Sequence, residues 1–162
     1  MGYGPNFVFI SCGQVTERER RVGMAAAELV RELTPYEPYL AENQHSLEGL
    51  SRNILGALNR SVGLIAIMHP RGAIVVPGGR QQIRASVWIE QEIAIAAFMA
   101  QVLGRPLHVA AYIHRDIARE GMREELQLNP FVFRQDDEIL AHLRQLLPTW
   151  KHPGYTRHAK SA

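Results

Sequence analysis

Val62-Gly63-Leu64-Ile65-Ala66-Ile67-Met68 runs through seven residues without a charge or a polar side chain. A strand with one face in water alternates apolar and polar positions, whereas a strand covered on both faces does not. This stretch therefore reads as the central strand of a sheet held between two helix layers. A second run of the same kind, Asn6-Phe7-Val8-Phe9-Ile10-Ser11, lies near the start of the chain.

Around these two runs the pattern alternates. Thr16 precedes Glu19 by three residues, the spacing of a capping box. The helix behind it carries Val22, Ala26, Leu29 and Leu33 on one stripe. Residues 36–40, after Pro35, form a weaker strand candidate. Residues 41–45 are a polar connection, and Ser46 can cap a helix with Leu47, Leu50, Ile54 and Leu58 on its apolar face. Past the central strand, residues 69–85 make a long connection with Pro70, Gly72, Pro77, Gly78 and Gly79, and one extended piece at 73–76. A connection of this length in a compact domain is usually functional or mobile. The Pro77-Gly78-Gly79-Arg80 stretch reads as a plain turn. It leads into Ser86-Val87-Trp88-Ile89-Glu90-Gln91-Glu92, the opening of a helix whose continuation, 93–102, is so apolar that burial of most of its surface is expected. Gly104-Arg105-Pro106 stops it. A fourth strand follows at 107–113, a charged surface helix or helical turn at 116–128 and an edge strand at 131–133. The last helix starts at Asp136 or Asp137 and carries Ile139, Leu140, Leu143 and Leu147.

Strands alternating with helices imply parallel pairing through right-handed crossovers. The expected fold is a three-layer α/β domain over residues 1–150. Its five-stranded parallel sheet, flanked by helices, has the flavodoxin-like order 2-1-3-4-5. Residues 151–162 read as a basic, flexible tail or linker. In such sheets ligands sit at the carboxyl ends of strands one and three, where the winding reverses. That edge comprises Ser11, Cys12, Gly13 and Gln14 on one side, and the segment running from His69 to Ser86 on the other.

A chain of 162 residues suits one well-cored domain, and 46% hydrophobic with 21% charged residues is ordinary for a globular protein. The formal net charge is only +2, with several positive charges in the final dozen residues, so direct nucleic-acid binding is not expected. The single cysteine, Cys12, excludes an intrachain disulfide and fits a reducing compartment. The apolar runs are too short to span a bilayer, and the chain opens on no secretory signal pattern, so the expectation is a cytoplasmic protein with no membrane partner. The seven histidines show no metal-ligand spacing with Cys or Glu, so no metal is expected. No Gly-x-Gly-x-x-Gly follows a strand, which disfavours redox use of a dinucleotide. His69 reads as a solvated loop residue.

Glu92 is the residue to explain. A carboxylate on an apolar helix is costly unless something pairs with it or uses it. One role is an ion pair with Arg84 or Arg52. The other is a catalytic or sugar-binding acid at the crevice, with the Ser86 hydroxyl at the same rim and the Trp88 ring one helical turn away as a face for a nucleotide base.

Val8-Phe9-Ile10-Ser11, the run from Ile54 through Ala57-Leu58 to Ser61, and above all Ser86-x-Trp88-x-x-x-Glu92 resemble a Toll/interleukin-1 receptor (TIR) domain, over about residues 6–148. The resemblance implies the bacterial NAD-cleaving type. It makes Glu92 the catalytic glutamate and Trp88 the tryptophan of the same helix. Ser86 becomes a pocket serine, with Cys12, Gly13 and Gln14 in a nucleotide-contacting loop after the first strand. It also makes 42–50, beginning at Glu42, the BB loop that gates the pocket and joins assemblies. The loop after the first strand has Gly13-Gln14 where many members carry arginines, and the 69–85 connection is longer than the family pattern.

What the resemblance implies is an NAD nucleosidase or cyclase that uses NAD as substrate and needs no cofactor. Its products would be nicotinamide and either ADP-ribose or a cyclic isomer, in bacterial antiphage signalling. Self-assembly and a downstream or fused effector or sensor are the implied partners. Two alternatives stand beside it: a non-enzymatic TIR scaffold working by homotypic contacts, and an enzyme similar to nucleoside deoxyribosyltransferases, whose glutamate is a nucleophile.

Overall fold

The alternation of apolar runs and amphipathic stripes resolves into one sheet with helices on both faces. The computed structural model describes residues 7–40, 49–118 and 130–150. Within them β1 is Phe7–Cys12, α1 Glu17–Leu33, β2 Glu37–Leu40, α2 Gly56–Asn59, β3 Ser61–Met68, β4 Gly72–Val75, β5 Gln81–Arg84, α3 Val87–Gln101, β6 His108–His114, β7 Phe131–Phe133 and α4 Asp136–Leu146. A wider π-helical turn, Leu50–Leu55, runs into α2.

β1 pairs in parallel with β2 (Ile10 opposite Leu40) and with β3 (Ile10 opposite Ile65). β3 pairs in parallel with β6 (Ala66 opposite Ala111), and β6 with β7 (Tyr112 opposite Phe131). The order β2-β1-β3-β6-β7 is the expected 2-1-3-4-5 once the separate β4–β5 hairpin is set aside. The fold is a three-layer α/β domain with a five-stranded parallel sheet.

Every residue of β3 is buried. Side chains alternate between the two layers, as the strand period of two requires. Val8, Ile10, Cys12, Ile65 and Ile67 join α1 and α4 through Val22, Ala26, Val30, Ile139 and Leu143. Phe9, Leu64, Ala66 and Met68 join α2 and α3 through Leu58, Ile89, Ile93 and Ala96. Each large apolar side chain so enclosed contributes about 1.5–3 kcal/mol relative to exposure. The capping box of α1 is present: Glu19 N donates to Thr16 Oγ1 at 3.1 Å and Thr16 N to Glu19 Oε2 at 2.9 Å. At α4, Gln135 N donates to Glu138 Oε1 at 2.9 Å, tying down the chain where it enters the helix. Trp150 lies against Gly63, where a Cβ would come within 2.7 Å of its ring, and stacks on His108 with centroids 5.0 Å apart.

Three expectations are corrected. The α3 helix is not mostly buried: Val87, Trp88, Phe98, Val102 and Leu103 are all more than half exposed at or next to it, because only one of its faces meets the sheet. The 69–85 connection holds two strands rather than one extended piece. Gly78 and Gly79, at φ 92° and 76°, close the hairpin between Val76 and Arg80, a backbone shape that side chains with a Cβ resist. Residues 116–118 are not helical; Ile117 is buried and bridges to Ile83, which docks the hairpin beside the end of β6. The rest of the 116–128 expectation, together with 41–48 and the tail, lies outside the described residues. Among the described residues no helix is long and apolar enough to cross a membrane.

Candidate functional site

The carboxyl ends of β1 and β3 meet the amino end of α3, and chemistry-bearing residues collect there. Ser11, fully buried, turns toward the α3 layer, and its hydroxyl donates to Glu92 Oε2. Glu92 sits in the second turn of α3 on the sheet-facing side and is 8% exposed. Burial pushes its carboxyl up to about 7, while the Ser11 hydroxyl, which favours the ionised form, opposes the rise. Near neutrality this carboxyl is divided between its acid and its carboxylate. One turn nearer the helix start, Trp88 is 54% exposed, an indole standing at the rim rather than in the core. Ser86 occupies the N-cap position and is half-buried, and its hydroxyl makes no capping bond.

The loop after β1 divides between two faces. Cys12 turns to the opposite layer, against Gly23 of α1. Its thiol is pushed up to about 12 by burial first, then by the charges of Glu19 and Glu92, with Arg71 opposing. Gln14 is half-buried and its Nε2 lies 3.5 Å from Cys12 Sγ, while its carbonyl accepts from Arg20 Nη1 at 2.8 Å. Gly13 is buried under the Glu19 carboxylate and the Arg71 guanidinium, both of which a Cβ would overlap. Ser11, Ser86, Trp88 and Glu92 therefore belong to the edge shared by β1 and α3, while Gly13 lies beside α1 and the 69–71 stretch. The side chain of Cys12 faces away from that group, and Glu42 lies outside the described residues.

Two residues of this edge escape a reading of the sequence. Glu19, visible only as a capping residue, is 3% exposed and serves two purposes. Its Oε2 accepts from Val15 N at 3.2 Å and from Thr16, while its Oε1 faces Arg71 Nη2 at 3.0 Å. Arg71 has no signal in the sequence beyond being a cation in a long connection. His69 is also corrected. It is 5% exposed rather than solvated, and its Nε2 meets Asp136 Oδ1 at 2.9 Å. Arg18 grips the same carboxylate at 2.7 and 2.9 Å. Residues 69–71 thus form a strap across the sheet edge, fastened at His69 to the start of α4 and at Arg71 to the start of α1. Arg71 N also donates to Arg84 O at 2.8 Å, which closes the root of the hairpin.

A buried carboxyl with a hydroxyl donor, an exposed indole nearby and an arginine over bare glycine backbone can hold a polar, ring-bearing, anionic ligand. The carboxylate can stabilise positive charge developing beside it.

No family model and no curated protein matches this chain. Among solved structures, a conserved protein from Enterococcus faecalis is similar over 86% of this chain and 98% of that one, with 13% identity and a TM-score of 0.48. The fold stated above rests on the strand order and pairing of this chain itself.

Proposed function

We propose that this chain is an NAD nucleosidase of the TIR type, cleaving the bond between nicotinamide and ribose, and that it acts in the cytoplasm in bacterial antiphage signalling. The observation that carries the reading is the Glu92 carboxyl, buried at the carboxyl edge of β1 and hydrogen-bonded by Ser11, with Trp88 exposed one helical turn away.

Nicotinamide in NAD bears a positive charge, so it leaves with the electron pair of the C–N bond and needs no strong acid. The ribose is left as an oxocarbenium-like cation, as in glycoside cleavage. Ionised Glu92 accepts hydrogen bonds from the ribose hydroxyls and stabilises that cation; a fixed carboxylate spared reorganisation is typically the largest catalytic term. Water adding to the anomeric carbon and losing a proton gives ADP-ribose. Attack by another part of the same nucleotide gives a cyclic isomer. Ser86 and Trp88 hold the nucleotide at the rim. The exposed apolar side chains in and just past α3, Phe98 and Val102 among them, support self-assembly as the working state.

The test is mass spectrometry of NAD reactions at high protein concentration, comparing wild type with Glu92→Gln. Nicotinamide release that falls by at least about a hundredfold in the variant is expected, from the usual weight of one electrostatic contact at a reacting centre. Undiminished release in Glu92→Gln removes the mechanism. Transfer of deoxyribose between bases with NAD untouched favours the deoxyribosyltransferase alternative instead, and absence of saturable NAD binding in the assembled state favours the scaffold.

A further inference from the structure

We propose that Arg71 is the anion-binding arm of this edge, its guanidinium taking the diphosphate of the dinucleotide whose ribose lies against Glu92. The inference rests on the dinucleotide-cleaving reading above and adds to it the group that holds the phosphates.

Position comes first. Arg71 reaches the edge from the strap 69–71, and its guanidinium lies over Gly13, so close that a Cβ there would overlap it. Gly13 follows Ser11 by two residues, a separation of roughly 7 Å at the rise of an extended chain. Ser11 holds Glu92, the proposed ribose contact. The cation therefore meets the backbone two residues beyond the one whose hydroxyl holds the carboxylate. Glycine at position 13 is what lets the guanidinium and the Glu19 carboxylate come this close to the backbone.

The donors are then sufficient. A guanidinium has five N–H groups in a planar fork that matches a phosphate. Glu19 Oε1 takes one Nη at 3.0 Å, while Glu19 Oε2 is occupied by Val15 N and Thr16. Glu19 therefore aims the arm without engaging all of it. The side chain of Arg71 is 23% exposed, so it is part-desolvated yet reachable from water. In such a setting a charged pair is stronger than at an open surface.

Two other arginines at the start of α1 are committed elsewhere. Arg18 has its Nε and Nη2 on Asp136, and Arg20 reaches back to the carbonyls of Gln14 and Val15.

The rival role for Arg71 is purely structural, as the partner of buried Glu19. Calorimetric affinities of the full chain for ADP and for adenosine, at high protein concentration, separate the two. Wild type should bind ADP about tenfold or more tightly than adenosine, the worth of a charge-assisted contact. In Arg71→Met that preference should collapse to about one with adenosine affinity kept. Arg71→Lys preserves a charge beside Glu19 but loses the fork, so the preference should fall severalfold in a chain that still folds. Equal affinity of wild type for the two ligands overturns the proposal. So does a preference that survives in both arginine variants, or a loss that is the same for ADP and adenosine. The cleavage reading is judged separately, by nicotinamide release in wild type and Glu92→Gln.

Discussion

The hydroxyl of Ser11, on the first strand, donates to Oε2 of Glu92, on a helix 81 residues further along the chain. Ser11 is fully enclosed and Glu92 nearly so, and the hydrogen bond favours the charged form of the carboxyl against the pull of burial. The contact tunes the group on which the proposed cleavage depends.

Ser11→Ala should raise the Glu92 pKa further above about 7, because the opposing contact is lost. The proposed cleavage needs the carboxylate, so the acidic limb of kcat/KM should move to higher pH by about one unit, the worth of one hydrogen bond to a charged group. A pH series of nicotinamide release on wild type and variant reads the shift; an unmoved limb contradicts it.

Glu92 also makes stability depend on pH. Its carboxyl titrates near 7 in the folded chain and near 4.5 ordinarily, so between those values the folded state keeps a proton that the unfolded state has released. Stability therefore falls as pH rises through this window and levels off above it, at a cost on the order of 3 kcal/mol. In urea unfolding, Glu92→Gln should be more stable than wild type at pH 8, and the gain should vanish at pH 4.

Asp136 works in the opposite sense. Burial raises its carboxyl, but hydrogen bonds from Arg18 and His69 outweigh that and hold it below the usual range. A depressed pKa contributes stability that is present above the unfolded value, about 4, and is lost as pH falls through the folded one. Asp136→Asn should cost about 1–3 kcal/mol at pH 7 and less toward pH 3, as read by denaturant midpoints across pH.

Cys12 should be inert while the chain is folded. Its thiol is buried and titrates near 12, so almost no thiolate exists at pH 8. Modification by a thiol reagent should be at least about a hundredfold slower in buffer than in denaturant. Equal rates would place the thiol in the open.

Gly63→Ala should destabilise through Trp150, whose ring leaves 2.7 Å for the added methyl. Overpacking of this kind costs about 1–3 kcal/mol. Thermal unfolding of Gly63→Ala, alone and with Trp150→Leu, tests the contact; the second change should recover part of the loss.

Much of this architecture is legible in the chain because it is local. The run at 62–68 has no polar residue to offer water, so it forms the buried strand β3. Thr16 and Glu19 are three residues apart and satisfy each other's backbone at the start of α1. Spacing alone puts Trp88 and Glu92 on adjacent turns of α3. Apolar composition misleads at 93–102, since it reports what a residue prefers and not which face of a helix finds a partner. Hence Phe98 and Val102 stay exposed.

The sequence by itself determined the alternation of strands and helices, the capping box of α1 and a carboxylate near the start of α3, since each depends on residues a few positions apart. Only the tertiary structure decided that Ser11 faces Glu92, that His69 meets Asp136 rather than solvent, and that Arg71 lies over Gly13 beside Glu19. Those contacts join distant segments, and they exist because the parallel strand order brings the ends of β1 and β3 to one edge, which no local pattern records.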